Sequence, residues 1–137
     1  MGMKTELDYA FLAEYAKTER GTITAIGASF TEAKSSSFPS VLDVSVAGRI
    51  RRPETEPVPE IRIVLTGPGL GESPQIDFDF GLEDEANAVH YDGKVASVFV
   101  FRAPVLIEQP GLYTFNIDLN GEHVRRLSFE VVSRDGE

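Results

Sequence analysis

The chain has 137 residues, 42% of them hydrophobic, with no cysteine and no tryptophan. That length suits one domain with a core of its own, and the missing cysteines exclude a disulfide framework, a thiolate metal site and a cysteine nucleophile. A formal net charge of −9 argues against a nucleic-acid backbone or an anionic membrane as partner.

The opening residues lack a basic stretch and an uninterrupted apolar stretch, because Glu6, Asp8 and Glu14 break the pattern. We therefore expect no secretory signal and a cytoplasmic protein. No segment has the roughly 20 consecutive apolar residues of a spanning helix. The 6–18 segment is ambiguous. Its Ala, Leu, Glu and Lys content favours a helix. Its alternation of Tyr9, Phe11, Ala13 and Tyr15 against Ala10, Leu12 and Ala16 fits a strand. Glu19-Arg20-Gly21 then separates it from Ile23–Ala28, which has the look of a second hairpin arm, and we read it as a strand.

From residue 42 onward the sequence runs in steps of two. Leu42, Val44, Val46 and Ile50 alternate with Asp43, Ser45, Arg49 and Arg51, which predicts a strand with one face on a core and one in water. Ile61, Ile63 and Leu65 follow the same rule, in a stretch so bounded by prolines that a short strand near a sheet edge is expected. Ile76, Phe78 and Phe80 alternate with Asp77 and Asp79. Tyr113 to Leu119 and Leu127 to Val131 complete the alternating set. Val95–Phe101 differs, being apolar on both faces, so it is either a central strand covered twice or an interface. Asp92-Gly93 and Asn120-Gly121 are turn signals, the second lying directly between two strands.

Strands at such spacing predict an all-β fold, a single immunoglobulin-like antiparallel β-sandwich of about eight strands. The domain is expected over residues 8–133, with tails at 1–7 and 134–137. The segments Tyr9–Ala16, Gly21–Ala28 and Ser37-Phe38-Pro39, with Pro110–Phe115 and the Asn120-Gly121 hairpin, resemble a family of small uncharacterised bacterial proteins classed as a domain of unknown function. The resemblance covers about Asp8 to Val132. It implies a β-sandwich and a bacterial, cytoplasmic context, and carries no catalytic residue.

Candidate chemistry is sparse. Tyr113, just after Pro110-Gly111, has the placement of a tyrosine corner, a structural role. Asp77 and Asp79 with Glu83, Asp84 and Glu85 offer oxygens for a cation but lack calcium-loop spacing. Cross-strand pairing with Arg49, Arg51 and Arg62 accounts for such aspartates without a metal. His90 and Asp92 with Ser35–Ser37 are the raw material of a hydrolase triad, but no nucleophile elbow accompanies them. Pro68-Gly69-Leu70-Gly71 lacks the Lys-Ser/Thr of a phosphate loop, and Arg125-Arg126 is no nucleic-acid stripe in so acidic a chain.

We therefore expect no catalytic residue, no metal and no cofactor. The expected function is a non-catalytic binding or interaction module for an unknown protein or small molecule. Its surface would be the loops at one end of the sandwich. The long acidic Gly81–Lys94 connection stands out, either as a functional loop or as a disordered one, with Glu83, Asp84, Glu85, His90 and Tyr91 as contact candidates. Two alternatives stand beside it: a homodimer packed through Val95–Phe101, and a small carboxylate-based hydrolase.

Overall fold

The architecture comes from a computed structural model that describes residues 4–69, 73–81 and 88–134. Eleven strands follow one another: β1 (Glu6–Ala13), β2 (Tyr15–Glu19), β3 (Thr22–Ile26), β4 (Glu32–Ser35), β5 (Ser40–Pro53), β6 (Glu60–Thr66), β7 (Ile76–Gly81), β8 (Ala88–Tyr91), β9 (Lys94–Ile107), β10 (Gly111–Leu119) and β11 (Glu122–Ser133). No helix occurs among the described residues. The strands make a four-stranded sheet in the order β1-β5-β9-β8, a five-stranded sheet β4-β11-β10-β6-β7, and a separate β2-β3 hairpin.

Alternation decides the core. Val44, Val46 and Ile50 of β5 and Phe99, Val105 and Ile107 of β9 face Ile61, Ile63 and Leu65 of β6, Tyr113, Phe115 and Ile117 of β10, and Phe129 and Val131 of β11. Burying each such side chain contributes roughly 1.5–3 kcal/mol. That driving force fixes the register, since a one-residue slip would turn every one of them outward. Gly48, buried in β5, leaves room that a side chain would take: a Cβ there would stand 2.5 Å from the Tyr9 carbonyl oxygen and 2.8 Å from the Phe99 ring.

Three two-residue turns share one geometry. Arg20-Gly21 (φ 53° and 77°), Asp92-Gly93 (51° and 74°) and Asn120-Gly121 (51° and 83°) all hold positive φ at both central positions. This is the hairpin turn whose twist matches that of its strands. The tyrosine corner is present too: Tyr113, 1% exposed, donates its hydroxyl to the Gln109 carbonyl at 2.9 Å.

The all-β sandwich is as expected, but the described residues form eleven strands rather than about eight, for three reasons. The 6–18 segment is extended, yet it divides at Glu14: β1 pairs with β5, and β2 pairs with β3. Its uniform alternation carries no sign of that break. The segment Glu32–Ser35 lacks apolar alternation and still forms β4, because the end of β11 offers it a free edge. That pairing is parallel, so the sandwich is not wholly antiparallel. Finally, Ala88–Tyr91, expected as part of a loop, folds back on Lys94–Ser97 through the Asp92-Gly93 turn. At the other end, β1 begins at Glu6, inside the segment expected as a tail.

The outward face of β5 is only partly in water. Asp43 is exposed, whereas Ser45 and Ala47 are buried. The β2-β3 hairpin lies over them, forming a second small cluster of Ala13, Ala16 and Ala47 with Phe11, Ile23, Ala25 and Val100. Small side chains let the two layers approach closely. This hairpin explains much of the two-faced Val95–Phe101 run. Phe99 faces the main core, Phe101 stacks with Phe78 and Phe80 at 5.5 and 6.2 Å, and Val100 faces the hairpin. It is a central strand segment between β5 and β8.

Where β9 outruns β8, its edge is managed locally. The Gln75 side-chain amide accepts from the Leu106 N–H at 2.5 Å and donates to the Leu106 carbonyl at 3.1 Å, acting as a one-residue strand. Two residues before it, Pro104 occupies a position on the same edge, where its missing N–H leaves no donor exposed.

Candidate functional site

Of the contact candidates from the acidic connection, Glu83, Asp84 and Glu85 lie outside the described residues. His90 and Tyr91 are consecutive in β8 and therefore leave it on opposite faces. His90 Nδ1 sits 3.1 Å from a Glu54 carboxylate oxygen, an exposed pair beside the turn that follows β5. Tyr91 turns to the outer face of the four-stranded sheet, under Lys94 at 5.8 Å from its ring centroid. There the Tyr91 hydroxyl, followed by the Asp8 and Glu6 carboxylates, raises the Arg51 guanidinium above its ordinary range, with burial working against them. The structure therefore does not gather His90 and Tyr91 into one site.

The arginines expected on outward faces are all paired. Arg49 is bonded to Asp8 and lies over the Tyr9 ring. Arg51 reaches Glu6 at 2.6 Å and Asp8 at 3.4 Å. Arg62 forms a two-pronged bond with Asp77 at 2.8 and 2.7 Å, with Asp79 farther off at 3.8 Å. That bond holds the Asp77 carboxyl below its ordinary range. Cross-strand pairing was expected for all three, but only Arg62 uses the β7 aspartates; Arg49 and Arg51 are neighbours of β1 instead.

A different surface has the geometry of a site. Where the chain breaks at Glu14 and climbs into the β2-β3 hairpin, it leaves a cleft of about 360 Å³ above β5 and β9, lined by Glu14, Tyr15, Asp43, Val44, Ser45, Arg102, Ala103 and Pro104. Ser45 stands opposite Arg102, and Asp43 opposite Pro104, on adjacent same-face rungs of the β5–β9 ladder. The Arg102 guanidinium lies over the Tyr15 ring, 5.1 Å from its centroid. Stacking uses the flat face of the guanidinium and leaves its N–H fork available. Ser45 is 1% exposed; its Oγ accepts the Ala16 N–H at 3.2 Å, and its own hydroxyl proton has no acceptor among the described residues. Among the described residues, neither Arg102, Glu14 nor Asp43 forms an ion pair.

Local sequence explains how these groups are held. Gly27 takes φ 65°, and a Cβ there would collide with the Glu14 carboxylate, so glycine serves both the turn and the space for Glu14. Glu14 donates its backbone N–H to the Ile26 carbonyl at 3.0 Å, which fixes the start of the hairpin. On its far side, Glu14 and Asp43 also border a second hollow of about 530 Å³, lined as well by Glu32, Lys34 and Arg134. The cleft thus presents one cation on an aromatic platform, two carboxylates and a buried hydroxyl. That set can bind and orient a polar molecule.

Sequence reasoning missed these residues because positions 14, 45 and 102 are far apart in the chain. The one available signal was Arg102, a lone charge interrupting the apolar run from Val98 to Ile107.

No curated protein matches the chain. Among solved structures, the alkylpurine DNA glycosylase AlkC of Pseudomonas fluorescens, bound to DNA containing an abasic site analog, is similar at 10% identity with a TM-score of 0.44. That likeness covers 96% of this chain but only 31% of that one, so the chain spans about a third of that protein. A likeness so distant carries no inference about activity. The sequence matches a family of unknown function, DUF6941, over residues 8–132, nearly its whole length, and the chain belongs to that family.

Proposed function

We propose that this protein is a non-catalytic, immunoglobulin-like binding module, cytoplasmic, with the cleft beneath the β2-β3 hairpin as its receiving surface. One observation carries the proposal: Arg102 is stacked on Tyr15 and shares a cleft with Glu14 and Asp43, and none of the three charges is spent on an ion pair among the described residues. On the same sheet Arg49 and Arg51 are neutralised. Charges of both signs left open in a concavity of this size are suited to a polar ligand.

The non-catalytic part is supported by the titratable groups. Among the described residues, the shifted groups are arginines and an aspartate in arginine–carboxylate or arginine–tyrosine contacts within the sheets. His90 is held by exposed Glu54, away from any serine nucleophile candidate: Ser35 bonds to the Ser37 carbonyl and the Ser40 hydroxyl. The receiving surface is placed at the cleft rather than at the loop end because residues 88–91 of the acidic connection are strand β8. The homodimer alternative through Val95–Phe101 loses its motive, since Phe99, Val100 and Phe101 are packed within the chain.

The test is a nuclear magnetic resonance screen of the isotope-labelled protein against a collection of small polar compounds. Hits should shift amides of Tyr15, Asp43, Ser45 and Arg102 together, and Arg102→Ala should abolish them. Hits that map elsewhere, or that survive the substitution, would overturn the proposal.

A further inference from the structure

Resting on that proposal, we infer that the cleft receives a zwitterionic α-amino acid with an apolar side chain. The chemistry of the walls limits the ligand. An anion alone would meet the Glu14 and Asp43 carboxylates, and a cation alone would meet Arg102, so either one gains from one wall and is repelled by another. A molecule carrying both charges a few ångströms apart gains from both. Arg102 supplies the carboxylate site. Its face rests on Tyr15, so the N–H edge is free for two parallel bonds to a carboxylate, and the side chain is held in place before the ligand arrives. The buried Ser45 hydroxyl is the cross-strand neighbour of Arg102 and has a proton to give. Glu14 and Asp43 then receive the ammonium group.

The adjoining surface supplies the apolar requirement. Along the same face of β5 and β9 the rungs run from Ser45–Arg102 through Asp43–Pro104 to Val41–Leu106. Pro104 forms a wall of the cleft, and Val41 and Leu106 beyond it are 65% and 44% exposed. Rungs that share a face lie roughly 6.6 Å apart. A leucine-sized side chain extending from a head group at Arg102 therefore lies on Pro104 and points toward the Val41–Leu106 pair. The face thus grades from charged to apolar in the same order as the ligand.

The experiment titrates the labelled protein with L-leucine, with 4-methylpentanoate (no ammonium), with isopentylamine (no carboxylate) and with glycine (no side chain). L-Leucine should bind at the cleft amides about tenfold more tightly than each of the other three. Arg102→Ala should remove leucine binding, Arg102→Lys should weaken it, and Asp43→Asn should weaken leucine while sparing 4-methylpentanoate. Both positions are exposed, so an unchanged spectrum away from the cleft verifies folding. Equal binding of leucine and either half-ligand, or no leucine shift at millimolar concentration, would overturn the inference. In the first case cleft shifts by a half-ligand would leave the binding module standing with another ligand class. The compound screen above decides the module by itself.

Discussion

Replacing Ser45 by alanine should loosen the β2-β3 hairpin from the sheet and disturb the cleft from beneath. Ser45 is 1% exposed and Ala16 is 0% exposed, and the Ala16 N–H points away from β3 to the Ser45 Oγ at 3.2 Å. Deleting the oxygen leaves a buried backbone donor with no acceptor, which costs about 1–3 kcal/mol. Because the cleft borders Ser45, water can reach part of that space, and the lower half of the range is expected. For a domain of this size the corresponding loss in Tm is about 3–6 °C. Urea unfolding measures the global cost, and hydrogen exchange at the Ala16 amide measures the local one. The amide should exchange faster in the variant by more than the global destabilisation explains, since the hairpin is held to the sheet chiefly by small side chains. A variant within about 0.5 kcal/mol of the parent, with Ala16 still protected, would refute this account of how the hairpin is docked.

Three further outcomes are expected. Tyr113→Phe removes the 2.9 Å bond to the Gln109 carbonyl and should cost about 0.5–1.5 kcal/mol in urea unfolding. Gln75→Ala strips both bonds from Leu106 and should cost about 1–2 kcal/mol, with concentration-dependent association in sedimentation as the β9 edge is bared. Asp77 has a carboxyl pKa held below its ordinary value by Arg62, so the pair stabilises the fold above the unfolded pKa and loses its effect as pH falls through the folded one. Melting curves taken downward from about pH 4 should therefore fall more steeply for the parent than for Asp77→Asn, and parallel curves would remove the pair from the account of acid stability.

The chain shows how far local pattern reaches. Period-two alternation identifies the core faces of β5, β6, β10 and β11 because one side of each strand must be dry, and that requirement is written in every second residue. Asn120-Gly121, Asp92-Gly93 and Arg20-Gly21 mark their turns because positive φ at both positions admits few residue types. The Tyr113 corner is legible for the same reason, being a bond between residues four apart.

What stays illegible is pairing at a distance. Nothing near Glu14 announces that β1 and β2 join different sheets, because alternation looks the same whichever partner a strand takes. Ser45 reads as part of a watered face; only the hairpin laid across it and Ala47 makes that face an interior, with alanines where close approach is required. The acidic connection stands out by its length and charge, both visible in one dimension. Arg102, Tyr15, Asp43 and Glu14 meet only after β5 pairs with β9 and the hairpin folds over both. The all-β class, the core faces and the tight turns are legible in the residues alone, since each follows from forces acting within a strand or a turn. Tertiary structure alone decided which outward face was covered and where unpaired charges converged, since those depend on contacts between residues tens of positions apart.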